Sequence, residues 1–239
     1  MKAKIHKMHR AIAMIELIIA IVVIGIVLMS APMLLQQAAR SGYVAIQQEA
    51  INEAASQTNM VLGYHWDENS ADERFIDPIL TVAGGDSGLN EHNATGRRAG
   101  TPRESKRAFI RDDGVRLPAS TALGSEGGDR DDNDDFAGNA QLTLIQSATS
   151  DYVEKTTINI NTSIAYIDDN ISGGTYLDPG SDKGIVFTPS WTPSANSTNI
   201  KHVQVTLTSS SGTEELDKQI VLRAFSCNIG ATKLEEREF

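Results

Sequence analysis

The chain has 239 residues, 40% of them hydrophobic and 5% aromatic, with a formal net charge of −10. An acidic surface of this kind excludes nucleic acid as a partner, because phosphates require a basic one. Cys227 is the only cysteine, which excludes an intramolecular disulfide and marks a small buried hydrophobe rather than a nucleophile.

The first eleven residues are a basic leader with Lys2, Lys4, Lys7 and Arg10. An apolar stretch follows from Ile12 to Leu35, interrupted by one acid, Glu16. At ~1.5 Å per residue this stretch reaches ~36 Å, enough to cross a bilayer. It exceeds the apolar core of ~7–15 residues of a secretory signal, and no A-x-A cut site follows it. Positive charge before the span places the N-terminus in the cytoplasm and the remainder outside. A carboxylate within such a span costs up to roughly 2.5–3.5 kcal/mol. A chain that retains one there is expected to supply it with a partner.

Residues 36–64 extend the helix. Leu35, Ala39, Tyr43, Ile46, Ala50, Ala54, Gln57 and Val61 recur at three- and four-residue spacing, which gives one apolar stripe. Pro32 lacks the N–H that would bond back to Leu28, so a bend or melted turn is expected near 28–32. Residues 65–140 are rich in glycine and clustered charge, predicting loops. Within them Glu91 to Arg116 is the best candidate for disorder, and its basic residues Arg97 to Arg111 predict a solvated loop. The acidic run Asp129 to Asp135 predicts a solvated turn or, alternatively, a Ca²⁺ site with Asp131, Asp132, Asp134 and Asp135 as ligands. An EF-hand is excluded, since Asp134 and Ala140 stand where Gly and Glu are needed.

Strand signals concentrate in residues 141–239. Ile158, Ile160, Ile164 and Tyr166 share one face of a period-two segment, and Val203, Val205 and Leu207 share another. Ile220, Leu222 and Ala224 close a hairpin after a long loop, and Lys183 to Phe187 predict a further short strand. The five histidines are scattered, and His202 reads as an exposed strand residue. No nucleophile elbow, phosphate loop or metal-ligand spacing appears, so the chain is not expected to be an enzyme. The expected fold is α+β, a long N-terminal helix packed on an antiparallel sheet.

The basic leader, the small Ala11, the apolar span and Glu16 resemble the N-terminus of type IV pilins and of the pseudopilins of type II secretion. The resemblance implies cleavage between Ala11 and Ile12 by a prepilin peptidase, N-methylation of Ile12 and Glu16 as the fifth mature residue. It also implies that Glu16 meets the free N-terminus of a neighbouring subunit in a fibre. Partners would be other pilin or pseudopilin subunits, the peptidase, the inner-membrane assembly machinery and lipid. The protein would sit in the inner membrane with a periplasmic domain, and outside the cell once assembled. Trp66-Asp67-Glu68-Asn69, the run Asp131 to Gly138 and the ending Ile200 to Asn228 are similar to minor pilins of the mannose-sensitive haemagglutinin type. Alternatives are a minor pseudopilin of type II secretion, or a membrane-anchored adhesive or cation-binding module.

Overall fold

The computed structural model describes residues 3–72, 74–105, 107–125, 128–146, 154–178, 184–209 and 216–231. One helix, α1, runs from Ala3 to Leu62. Four strands follow: β1 (Gly138–Gln146), β2 (Glu154–Ile167), β3 (Ile200–Ser209) and β4 (Ile220–Cys227). They form an antiparallel meander in the order β1-β2-β3-β4. The fold is therefore α+β.

The stripe on the second half of α1 is buried where a sheet lies beneath it. Ile46, Ala50 and Ala54 pack on Ile158 and Ile160 of β2 and Val205 and Leu207 of β3, with Leu216 closing one end. Two turns further along, Val61 meets Ile164 and Val203. Small Ala50 and Ala54 let the helix lie close to the strands. Gln57 adds a polar tie, donating to Thr162 Oγ1 at 2.8 Å. The helix ends at Gly63, whose N–H bonds to the Met60 carbonyl at 3.0 Å.

Several expectations are corrected. Pro32 lies inside an unbroken helix, so there is no melted turn. The lost hydrogen bond falls where the helix is exposed, and the turns on either side hold it. Glu91 to Arg116 is ordered among its described residues, anchored by polar contacts that composition does not display. The half-buried Arg98 donates to the carbonyls of Leu89 and Asn228, both at 2.6 Å, and to Asn199 Oδ1 at 2.5 Å. Burial lowers its pKa to about 10. Residues 184–187 form no strand, and Lys183 lies outside the described residues. Strand β1 was not singled out from the sequence, although Ala140, Leu142 and Leu144 alternate with Gln141 and Thr143. His202 is buried rather than exposed, its ring 4.6 Å from that of Trp191.

Candidate functional site

Two features stand apart from the ordinary packing. The first is the free half of α1. Every described side chain from 14 to 41 is exposed, among them Leu17, Ile18, Ile21, Ile24, Leu28 and Leu35. The helix is long and apolar enough to span a membrane. Glu16 lies exposed near its start. Ala11 and Ile12 lie on the same helix, and their side chains fall outside the described residues.

The second feature lies under the end of α1, where the acidic run folds inward. Asp132, Asn133, Asp134 and Asp135 are buried, which overturns the expected solvated turn. Their cation is Lys201, whose side chain is 0% exposed. The sequence carries a signal for it: Lys201 is in phase with Val203, Val205 and Leu207 on the inward face of β3. In the sheet it pairs with Tyr166 of β2, as Val203 pairs with Ile164.

Lys201 Nζ donates to the Trp66 carbonyl at 2.7 Å and contacts Asp134 Oδ1 directly. It lies 3.5 Å from Asp67 Oδ2 and 3.9 Å from Asp132 Oδ2. The rings of Trp66 and Tyr166 wall the site, with centroids 4.9 and 5.4 Å from Nζ.

Each carboxyl is held by local backbone. Asp67 Oδ1 accepts from the N–H of Asn69, and both its oxygens accept from the N–H of Ser120. The Tyr166 hydroxyl lies 3.1 Å from Asp67 Oδ2 and donates to the Ser120 carbonyl at 2.6 Å. Asp132 Oδ1 accepts from the N–H groups of Asp134 and Asp135, at 2.8 and 3.2 Å. Asp134 Oδ2 accepts from the Gly124 N–H at 2.8 Å. Asp135 Oδ2 accepts from the N–H groups of Asp131 and Asp132.

Three carboxyls thus face one lysine in a site closed to water. Burial pushes the Asp132 carboxyl up to about 7; Lys201 pulls it down and Asp134 raises it further. Burial and then Asp67 raise the Tyr166 phenol, which keeps it a donor.

The four candidate Ca²⁺ ligands are not arranged around one point. Asp132 and Asp134 face Lys201, whereas Asp131 and Asp135 bond to one another through the loop. Among the described residues no group of three or more His, Cys, Asp or Glu could hold a metal ion. Sequence reasoning missed Lys201, Asp67 and Tyr166 as members of this cluster. No family model, curated protein or solved structure matches this chain.

Proposed function

We propose that the protein is a minor pilin or pseudopilin subunit, anchored in the inner membrane and assembled into a fibre through its N-terminal helix. The observation that carries this reading is the division of α1. One continuous helix buries its second half on the sheet and leaves an unpartnered apolar half with a single acid, Glu16. That design suits a segment that moves from lipid into a bundle of identical helices. In lipid the Glu16 carboxylate is a cost. Beside the amino group of a neighbour's Ile12, exposed by cleavage after Ala11, it gains a counter-charge, which favours assembly.

The test is intact-mass analysis of the protein recovered from membranes that contain a prepilin peptidase. The expected product begins at N-methylated Ile12. A product beginning at Met1, or beyond residue 30, would refute the reading.

A further inference from the structure

We propose that Lys201 and Asp134 join through a side-chain amide, an intramolecular isopeptide bond made by the fold itself, with Asp132 as proton carrier. The inference is independent of the fibre reading, because it rests on the ion cluster alone.

Amide formation between an amine and a carboxylic acid needs the two held together, uncharged and away from water. Direct contact between Nζ and the Asp134 carboxyl supplies the first condition. The second asks for no new charge in the site: proton transfer within the contacting pair leaves its net charge unchanged, and burial withdraws the water that would solvate the two ions. Lys201 and Asp134 are 0% and 2% exposed as side chains, and the rings of Trp66 and Tyr166 wall the amine.

The surrounding groups fit the steps. A proton passes from the Lys201 ammonium to the Asp134 carboxylate, leaving an amine and an acid. The Nζ lone pair then attacks Cγ of Asp134. Negative charge develops on Oδ2, the oxygen that the Gly124 N–H already holds. Asp132 is placed to serve as acid and then base: two backbone N–H groups pin its Oδ1, and its Oδ2 faces the lysine. It gives its proton to the departing hydroxyl and takes one back from the nitrogen. The Nζ–Cγ bond forms, the Cγ–Oδ1 bond breaks and one water leaves. No oxidant or reductant is required.

Asp134 is the partner rather than Asp67. The Asp67 oxygen nearest the amine is engaged by the Ser120 N–H and lies beside the Tyr166 hydroxyl, at the greater distance of 3.5 Å. The bond would tie the loop before β1 to the start of β3 across 67 residues, in a chain whose single cysteine allows no internal disulfide.

The experiment is mass spectrometry of the full-length chain purified in detergent and denatured, with its N-terminus defined by sequencing. The expected mass is lower than the sequence mass by one water. Trypsin should leave Lys201 uncut and release residues 131–155 joined to residues 184–218, with fragment ions placing the link on Asp134. Lys201→Arg should restore the full mass. Asp132→Asn, which keeps the size of the side chain, should slow linkage about 100-fold, as loss of a general acid–base group does. A full-mass native chain cut by trypsin at Lys201 would overturn the proposal. A link to Asp67 or Asp132 would overturn the assignment to Asp134, and unimpaired linkage in Asp132→Asn would overturn the role of Asp132.

Discussion

Lys201 is the centre of the buried acidic cluster under the end of the helix. It stands on the apolar face of β3, where its neighbours in phase are Val203, Val205 and Leu207, and its nitrogen is surrounded by Asp67, Asp132 and Asp134. Removing one partner of the unlinked cluster leaves the others buried without a counter-charge, at a cost of roughly 3–5 kcal/mol, and removing Lys201 also removes the proposed link to Asp134. Lys201→Met should therefore lower the denaturation midpoint of a 36–239 fragment by a corresponding amount, and a variant as stable as the parent would contradict the cluster. Asp132 gives a second prediction with a defined sign. Its carboxyl titrates near 7 in the fold and near its ordinary 3.8 when unfolded. Between those values the folded state holds the extra proton, so the contribution is fully present below 3.8 and lost as pH rises through 7. His202 acts in the opposite direction: burial, then Arg223, lowers its pKa, so its contribution is lost as pH falls through the ordinary histidine range. Comparison with Asp132→Asn, both in the Lys201→Arg background that cannot form the Lys201–Asp134 link, isolates the first effect. The variant should gain stability relative to the parent between pH 5 and pH 8, on the order of 3 kcal/mol by linkage. A constant difference in melting free energy across that range would refute the assignment.

At the scale of elements, the long helix illustrates how periodicity and burial differ. The stripe at Tyr43, Ile46, Ala50, Ala54 and Val61 was legible from three- and four-residue spacing, and the sheet covers it. Leu35 belongs to the same stripe and is exposed, because β2 and β3 do not reach it. Periodicity identifies a face; a partner decides whether that face is buried. Ala54 is wholly buried against the strands, so Ala54→Leu should cost about 1–3 kcal/mol through overpacking. Thermal unfolding of the 36–239 fragment measures this, and no change would mean that the helix lies farther from the sheet than described. Period two likewise made β2, β3 and β4 legible. The Glu91 to Arg116 region was not, because its order comes from Arg98 reaching carbonyls at Leu89 and Asn228, a polar and long-range connection without sequence period. Arg98→Ala should make that region the first site of limited proteolysis while leaving the sheet folded, since the ties lost are those to Leu89, Asn199 and Asn228, outside the strands. Equal protease resistance would show that other contacts hold the loop.

For the whole molecule, charge and apolar surface are divided between two regions. The exposed apolar half of α1 is long and apolar enough to span a membrane, whereas residues 42–231 contain the core clusters, the sheet and the ion cluster. The acidic run was legible as a feature but not as a buried one: seven consecutive residues from Asp129 to Asp135 with one basic member suggest solvent or a metal, because the compensating lysine lies 67 residues away in sequence from Asp134. Trp66-Asp67 and Lys201 acquire meaning only together, once the meander brings the start of β3 beneath the end of the helix. This arrangement leads to a prediction about calcium. Ca²⁺ requires six to eight oxygen ligands, whereas Lys201 and backbone N–H groups engage both oxygens of Asp132 and Asp134 and Oδ2 of Asp135. That leaves Asp131 Oδ1 and Asp135 Oδ1 as the buried carboxyl oxygens of the run without a partner, too few for a site. A ligand stabilises a protein only where it binds the folded state in preference to the unfolded one. Millimolar Ca²⁺ should therefore leave the melting temperature of the 36–239 fragment unchanged, and calorimetry should detect no heat of binding. A rise that disappears when Asp131 and Asp135 become Asn would instead place a cation on the outer side of the loop, away from Lys201.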